Sequence, residues 1–440
     1  MKWIIGVIGI LFIALVFQLS LLAYAMYVML GLLLLGRLLA RNWTDHVAAA
    51  RRFPDQAAEI GDRLDVAVLV RNDGSLPVPW VIAEDLLPRE ALRQRPPRLR
   101  VDGKRIKVGL VKRDGQLRVN YALVPDMRGF YRIGPVILEG GDLFGLFRRF
   151  RVSTEPHFLL VYPKMVPLLG YDLASRRPVG EIRLTHRLFE DPTRIAGVRE
   201  YQQGDPLNRV HWKATARTGQ LHCKLYEPST IAGATLLLEF NQNSYHARGE
   251  PYRSELAITL AASLANALYH LGQPFGLVSN GRDAADRLRA EGWKVPSGGG
   301  VYRSRQEAEA VVSEETSDGR LQPVIVRLGK NEEQLQTIRE ALARLELNDG
   351  LTFAELVRES ASQLSRQATI VAILPAVSVG TAMTLANLKQ SGYAVAAILV
   401  SLDELDHAEH YARLAGEGID VRALQDEAGI ASLCQNLMAR

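Results

Sequence analysis

The chain reads as a multi-domain protein: an N-terminal transmembrane helical hairpin, a β-sandwich-like domain, and an α/β domain with a mainly parallel sheet. Three observations carry this reading. No charged residue interrupts Trp3 to Gly36. Short alternating strands separated by turn signals fill Ala48 to Pro163. From Ala232 onward, apolar strands alternate with helical stretches. A length of 440 residues accommodates two or three domains. We divide it as 1–40 (hairpin), 41–165 (β-sandwich-like), 166–231 (basic linker and a polar signature segment) and 232–440 (α/β).

Composition narrows the function classes. A hydrophobic share of 48% with 23% charged residues describes a chain that can bury a core rather than one that stays disordered. The formal net charge of +5 is too mild to argue for nucleic acid and gives only slight support for an anionic membrane surface. Cys223 and Cys434 are the only cysteines, which argues against a disulfide framework. Neither HExxH nor a paired CxxC is present to build a zinc site.

At about 1.5 Å per residue the uncharged run would make a helix of roughly 50 Å, well beyond a hydrocarbon core of about 30 Å. Two helices with a turn at Phe17, Gln18, Leu19 and Ser20 fit better. Lys2 lies at one outer end and Arg37, Arg41, Arg51 and Arg52 at the other, which places both ends on the cytoplasmic side. Ala23-Tyr24-Ala25 also matches a signal-peptidase pattern, but Met26 to Leu35 remains apolar beyond it; an uncleaved anchor is the better reading.

In the first soluble region, Leu64–Val70 is a strand turned by Asn72-Asp73-Gly74. Arg118–Val124 alternates with Val119, Tyr121 and Leu123 on one face. Gly129–Pro135, Val136–Glu139 and Phe158–Tyr162 follow, consistent with a small sandwich. Asp142 to Phe147 reads as a loop whose apolar side chains pack into the core. Leu168 to Ala196 reads as a linker, made basic by Arg176, Arg177, Arg183, Arg187 and Arg194.

In the last region, Ala234–Phe240, Phe275–Val278, Thr369–Leu374, Tyr393–Val400 and Ile419–Ala423 are strands. Ser254–Leu271, Glu332–Leu345, Thr352–Leu364, Thr381–Lys389, Leu405–Leu414 and Ala428–Met438 are helices, with Thr352 and Glu355 at capping-box spacing. Such alternation implies a parallel sheet covered on both faces, with ligands at the strand C-terminal ends.

The most distinctive stretch is Arg199 to Glu227. Arg199, Tyr201, Gly204, Asp205, Arg209, Trp212, Lys213, Arg217, Lys224 and Glu227 stand out in it. Two readings remain open: a polar surface for a protein partner or anionic ligand, and an ion-pair network joining two domains. Ala214 to Arg217 suits a helical turn before Gly219, followed by a strand with Leu221, Cys223 and Leu225 on one side and His222, Lys224 and Tyr226 on the other. Cys223 with His211 or His222 is a poor nucleophile–base pair, since His222 and Cys223 are strand neighbours. Gly298–Gly300 lacks the Lys-Ser/Thr of a phosphate loop.

These residues resemble the signature of the bacterial DUF fifty-eight family: R-x-Y-x-x-G-D, then R-x-I-x-W-K-x-S/T-A-R, then L-x-V-K with an acidic residue. Val210 replaces the Ile, Cys223 the Val, and His211 stands where Asp is common. The last domain resembles the von Willebrand factor A fold. That resemblance implies a metal loop, here degenerate, at Glu239, Asn241 and Asn243. The leading reading is a membrane-anchored, cytoplasmic-facing, non-enzymatic scaffold at the inner membrane, with no cofactor unless that loop takes a divalent cation. The family resemblance implies a MoxR-type AAA+ ATPase as partner and, in some members, a transglutaminase-like membrane protein. A metal-dependent adhesion module and a hydrolase are the alternatives.

Overall fold

The computed structural model describes residues 2–53, 57–168, 189–200, 210–229, 233–291, 300–302, 304–310, 321–366, 368–400 and 404–433. They form two compact units: Met1–Pro163 with Ala284–Gly319, and Lys164–Asp283 with Arg320–Arg440. Each is described by itself.

The first unit opens with α1 (Lys2–Val16) and α2 (Ser20–His46). They reverse through Phe17, Gln18 and Leu19, where Gln18 takes φ +54° and the Leu19 N–H donates to the Ala14 carbonyl at 2.8 Å. Leu11, Ala14 and Ala23 pack between the helices, while most other side chains of the apolar run are exposed. The second helix is longer than the 1–40 boundary anticipates. It runs to His46 and feeds directly into a strand, because Leu33, Gly36, Ala40 and Trp43 bury one face at helical spacing.

The strands that follow are β1 (Val47–Arg52), β2 (Ala57–Ala58), β3 (Leu64–Asn72) and β4 (Val78–Asp85). After a short helix, α3 (Arg89–Arg93), come β5 (Leu99–Gly103), β6 (Ile106–Val111), β7 (Gln116–Pro125), β8 (Gly129–Ile133), β9 (Val136–Gly141), β10 (Arg148–Val152) and β11 (His157–Val161). One sheet has the order β1-β3-β7-β5, another contains β10-β9-β4-β6, and a third is β2-β11-β8. Alternation along β3 sends Leu64, Val66, Val68 and Val70 inward. Trp43 and Val47 join Val68, Val70, Val81, Val119 and Leu138 in one core cluster, so the end of α2 is part of this core.

Two expectations are corrected here. Arg51 is not a membrane-flanking charge. Its guanidinium is buried and forks onto the Asp85 carboxylate, with Nε donating to Oδ2 at 2.8 Å and Nη2 donating to Oδ1. Arg51 also donates to the Ile133 carbonyl, and the Tyr121 hydroxyl donates to Asp85 Oδ2 at 2.8 Å. Burial, then the Asp85 charge, raise the Tyr121 pKa, so the phenol stays a donor. Nor does the Asp142–Phe147 loop pack inward: Leu143, Phe144 and Leu146 are 63%, 68% and 52% exposed.

The second unit begins with β12 (Phe189–Glu200), α4 (Trp212–Thr218) and β13 (His222–Ser229). β12 and β13 pair antiparallel, so Phe189 to Ala196 is strand rather than linker; the ladder is irregular between Glu190 and Gly197. The rest of the basic linker, 169–188, lies outside the described residues. β14 (Ala234–Leu238), α5 (Tyr252–His270), β15 (Phe275–Ser279) and β16 (Arg282–Asp283) follow.

The chain then contributes α6 (Ala284–Glu291), β17 (Gly300–Tyr302) and α7 (Arg305–Ala310) to the first unit. β17 adds an edge to β10, pairing Tyr302 with Phe150, and Ala308 packs with Ile137, Phe150 and Val152. Arg305 and Arg105 both bond the Glu84 carboxylate, at 2.6 and 2.9 Å. The sequence boundaries placed all of 232–440 in one α/β domain; this excursion departs from that.

The second unit resumes with β18 (Val324–Gly329), α8 (Glu332–Arg344), β19 (Leu345–Glu346), α9 (Phe353–Ser360) and β20 (Thr369–Leu374). It ends with α10 (Val379–Gln390), β21 (Val395–Val400), α11 (Glu404–Gly416), β22 (Asp420–Leu424) and α12 (Glu427–Ser432). The six-stranded sheet has the order β18-β15-β14-β20-β21-β22. All its pairings are parallel except β18 with β15. β14, β15 and β20 are buried at every position, the pattern of strands covered on both faces. Thr352 caps α9 reciprocally with Glu355, forming the expected capping box.

Candidate functional site

The signature segment folds around α4. Val210 is 2% exposed and bridges Cys223, itself buried. The His211 N–H donates to the His222 carbonyl at 2.7 Å. His211 Nδ1 accepts from the Ala214 N–H at 3.0 Å, so this histidine caps the helix. Gly219 ends α4 with φ +75°, a conformation that favours glycine. The Thr215 hydroxyl accepts from the His222 N–H at 3.1 Å and ties α4 to β13.

This framework turns one set of side chains outward. Trp212 is 68% exposed, and Lys213 and Arg217 are also exposed. Among the described residues, neither cation pairs with a carboxylate. Leu221, expected on the inner side, is 44% exposed beside them in sequence. Tyr201, Gly204, Asp205 and Arg209 lie outside the described residues. The backbone of Arg199 stands opposite Cys223 in the ladder, and Lys224 opposite Val198; the side chains of Arg199, Lys224 and Glu227 are not among those described. Cys223 is buried whereas the His222 ring meets Thr218 Oγ1 at 3.1 Å and the Gln220 carbonyl at 2.8 Å. They face opposite ways, as strand neighbours must.

The other anticipated site lies at the end of β14. Glu239 is 3% exposed. Its Oε1 accepts from Ser244 Oγ at 2.5 Å, and its Oε2 has no hydrogen-bond partner among the described residues. Burial pushes its pKa up to about 7, opposed by the Ser244 bond. Asn241 Oδ1 accepts from the Asn243 N–H at 2.9 Å, while its Nδ2 donates to the carbonyls of Leu351 and Gly350 at 3.0 and 3.3 Å. Asn280 accepts from the Phe240 N–H at 2.6 Å and donates to Leu351, and Asn348 donates to the Asn280 carbonyl. These asparagines fasten the 348–351 loop at the strand ends. Asn241 is thus committed through both its amide oxygen and its amide nitrogen to the loop backbone. Among the described residues no cluster of three His, Cys, Asp or Glu could hold a metal. The roles of Asn280 and Asn348 were missed from sequence; the only signal was a polar residue directly after an apolar strand.

Residues 197–293 match the family model described as protein of unknown function DUF58. Over these residues the chain is similar to the DUF58 family. The match takes in α4, β13, β14 and the Glu239 loop together. A curated relative, the uncharacterised protein YeaD of Bacillus subtilis, is 27% identical over 267 residues, covering 59% of this chain and 62% of that protein. The chain therefore spans under two thirds of its length. Among solved structures, the VWA domain of SpRpn10 is 10% identical, with a TM-score of 0.26 over 47% of this chain and 94% of that one. The CARDB domain of the PF1109 protein from Pyrococcus furiosus is 13% identical, with a TM-score of 0.18 over 26% of this chain and 91% of that one. The fold described above rests on its own strand pairing rather than on these likenesses.

Proposed function

We propose that the protein is a membrane-anchored scaffold whose α4 face docks a partner protein, with a MoxR-type AAA+ ATPase as that partner and a transglutaminase-like membrane protein as a further one. The observation that carries this is Trp212, exposed next to Lys213 and Arg217, two exposed cations that meet no carboxylate among the described residues, on a helix fixed at both ends. An aromatic side chain backed by Lys and Arg on a rigid support is the composition of an interface hot spot.

Among the described residues one helix, Ser20–His46, is long and apolar enough to cross a membrane. We place α1 in the membrane beside it. Its 15 residues extend about 23 Å at 1.5 Å each, short of a hydrocarbon core of about 30 Å, so the turn at Gln18 reaches the far headgroup region where the bilayer thins around it and solvates its polar groups. Arg37 and Arg41, without Arg51, then orient both soluble units toward the cytoplasmic side of a bacterial inner membrane.

The test is direct binding of the purified full-length protein to a purified MoxR-type ATPase. Trp212→Ala and Arg217→Glu should each abolish capture while circular dichroism and the unfolding midpoint stay unchanged. Undiminished capture by both variants would overturn the α4 docking face.

A further inference from the structure

We propose that the loop Leu143–Phe144–Gly145–Leu146 is a second membrane contact, inserting its apolar side chains into the lipid interface next to α2. The proposal rests on the reading of α2 as a membrane span and extends it to the β unit.

The loop joins β9 to β10, and that hairpin runs along α2. At its base, Arg151 Nη1 donates to the Asp45 and Thr44 carbonyls at 2.7 and 3.1 Å, closing the C-terminal end of the helix. At its tip, Asp142 lies against Gly36, where a Cβ would meet the Asp142 side chain at 3.4 Å. Thr44 to Gly36 is two helical turns in the direction of the bilayer, and Gly36 is the last residue before the first charge, Arg37. The hairpin tip therefore reaches the height at which the apolar run of α2 begins.

The tip is also built to hold its shape. Asp142 is 1% exposed; its carboxylate accepts from the Phe147 N–H at 2.7 Å and the Phe144 N–H at 3.3 Å. Trp80 Nε1 donates to the Asp142 carbonyl at 3.0 Å. Gly145 takes φ +71°, and a Cβ at Gly141 would meet the Phe147 carbonyl oxygen at 2.6 Å. A loop fixed this way presents Leu143, Phe144 and Leu146 without an ordering penalty on contact. Three exposed apolar side chains on a rigid turn are unfavourable in water and favourable at an interface. Arg37, Arg41, Arg148 and Arg149 lie on the same two elements and suit anionic headgroups.

The experiment uses the full chain with both cysteines replaced by serine, reconstituted in vesicles of phosphatidylcholine and phosphatidylglycerol. An environment-sensitive fluorophore is attached at Phe144→Cys in one sample and at Leu30→Cys in another. Lipids carry a nitroxide either near the headgroup or deep in the acyl chain. We expect the label at 144 to be blue-shifted and quenched more by the shallow nitroxide, and the label at 30 more by the deep one. If the label at 30 is quenched and that at 144 is not, the loop proposal fails while the anchor stands. If neither is quenched, both fail. A third sample, L143S/L146S labelled through F144C, should lose the blue shift, while L143S/L146S labelled through L30C should be quenched as before; retention of the shift at 144 would overturn insertion by these side chains.

Discussion

Two buried carboxylates behave oppositely, and the difference lies in what surrounds them. Asp85 is held by a guanidinium fork and a phenol, so its charge is compensated. Replacing it by alanine leaves Arg51 charged and buried, and we expect a loss of roughly 3–5 kcal/mol, read from the denaturant midpoint. Tyr121→Phe removes only a hydroxyl donor and should cost about 1 kcal/mol. Glu239 has one serine and no cation among its hydrogen-bond partners, and its folded pKa, about 7, lies above the ordinary glutamate value. The native state thus holds a proton that the unfolded chain has released between about pH 4.5 and 7. Its contribution is fully present below that window and is lost as pH rises through it. Glu239→Gln should flatten this dependence and raise stability above pH 7; an unchanged slope in pH-resolved unfolding would count against the assignment. Neither environment could be read from sequence. Arg51 stood close to an apolar run and looked like a membrane flank; its partner lies 34 positions away.

Elements were legible where their pattern was local. β20 needed no more than five apolar residues after Thr369, between turn signals, and α9 announced itself through Thr352 and Glu355. Thr352→Ala should cost about 1 kcal/mol by loss of the cap, measurable as a lowered unfolding midpoint. α4 was legible in part, because Gly219 marked its end. Gly219→Val forces a β-branched residue into the left-handed region and should fray the helix, weakening partner capture, whereas Lys213→Ala should weaken capture with no loss of helix signal. The Asp142–Phe147 loop shows why composition alone misleads. Leu143, Phe144 and Leu146 within four positions look like core, and only the neighbouring span of α2 distinguishes a core-packed loop from one facing lipid. β17 was invisible because three residues carry no period, and its partner β10 precedes it by about 150 positions.

At the scale of the whole molecule, the chain order of its domains is not the order of its units. The first unit is completed by residues 284–319, reached only after the chain has begun the α/β sheet. Ala308 is fully buried against Ile137, Phe150 and Val152, and Glu84, 6% exposed, keeps Arg305 as one of its two cations. Residues 1–163 alone would therefore expose an apolar edge on β10 and leave Glu84 with Arg105 only. Such a truncated chain, in detergent, should unfold at lower denaturant and bind a hydrophobic dye that the full chain does not. Arg305→Ala in the full chain isolates the charge component: removing one of two guanidinium partners from a buried carboxylate should cost on the order of 1–3 kcal/mol, with no dye binding because β17 still covers the edge. Equal midpoints for the truncated and full chains would mean that the excursion decorates the first unit without completing it. A drop larger than that of Arg305→Ala assigns the remainder to the packing of Tyr302 and Ala308. Stability of the first unit would then depend on a segment contributed from within the α/β half of the sequence.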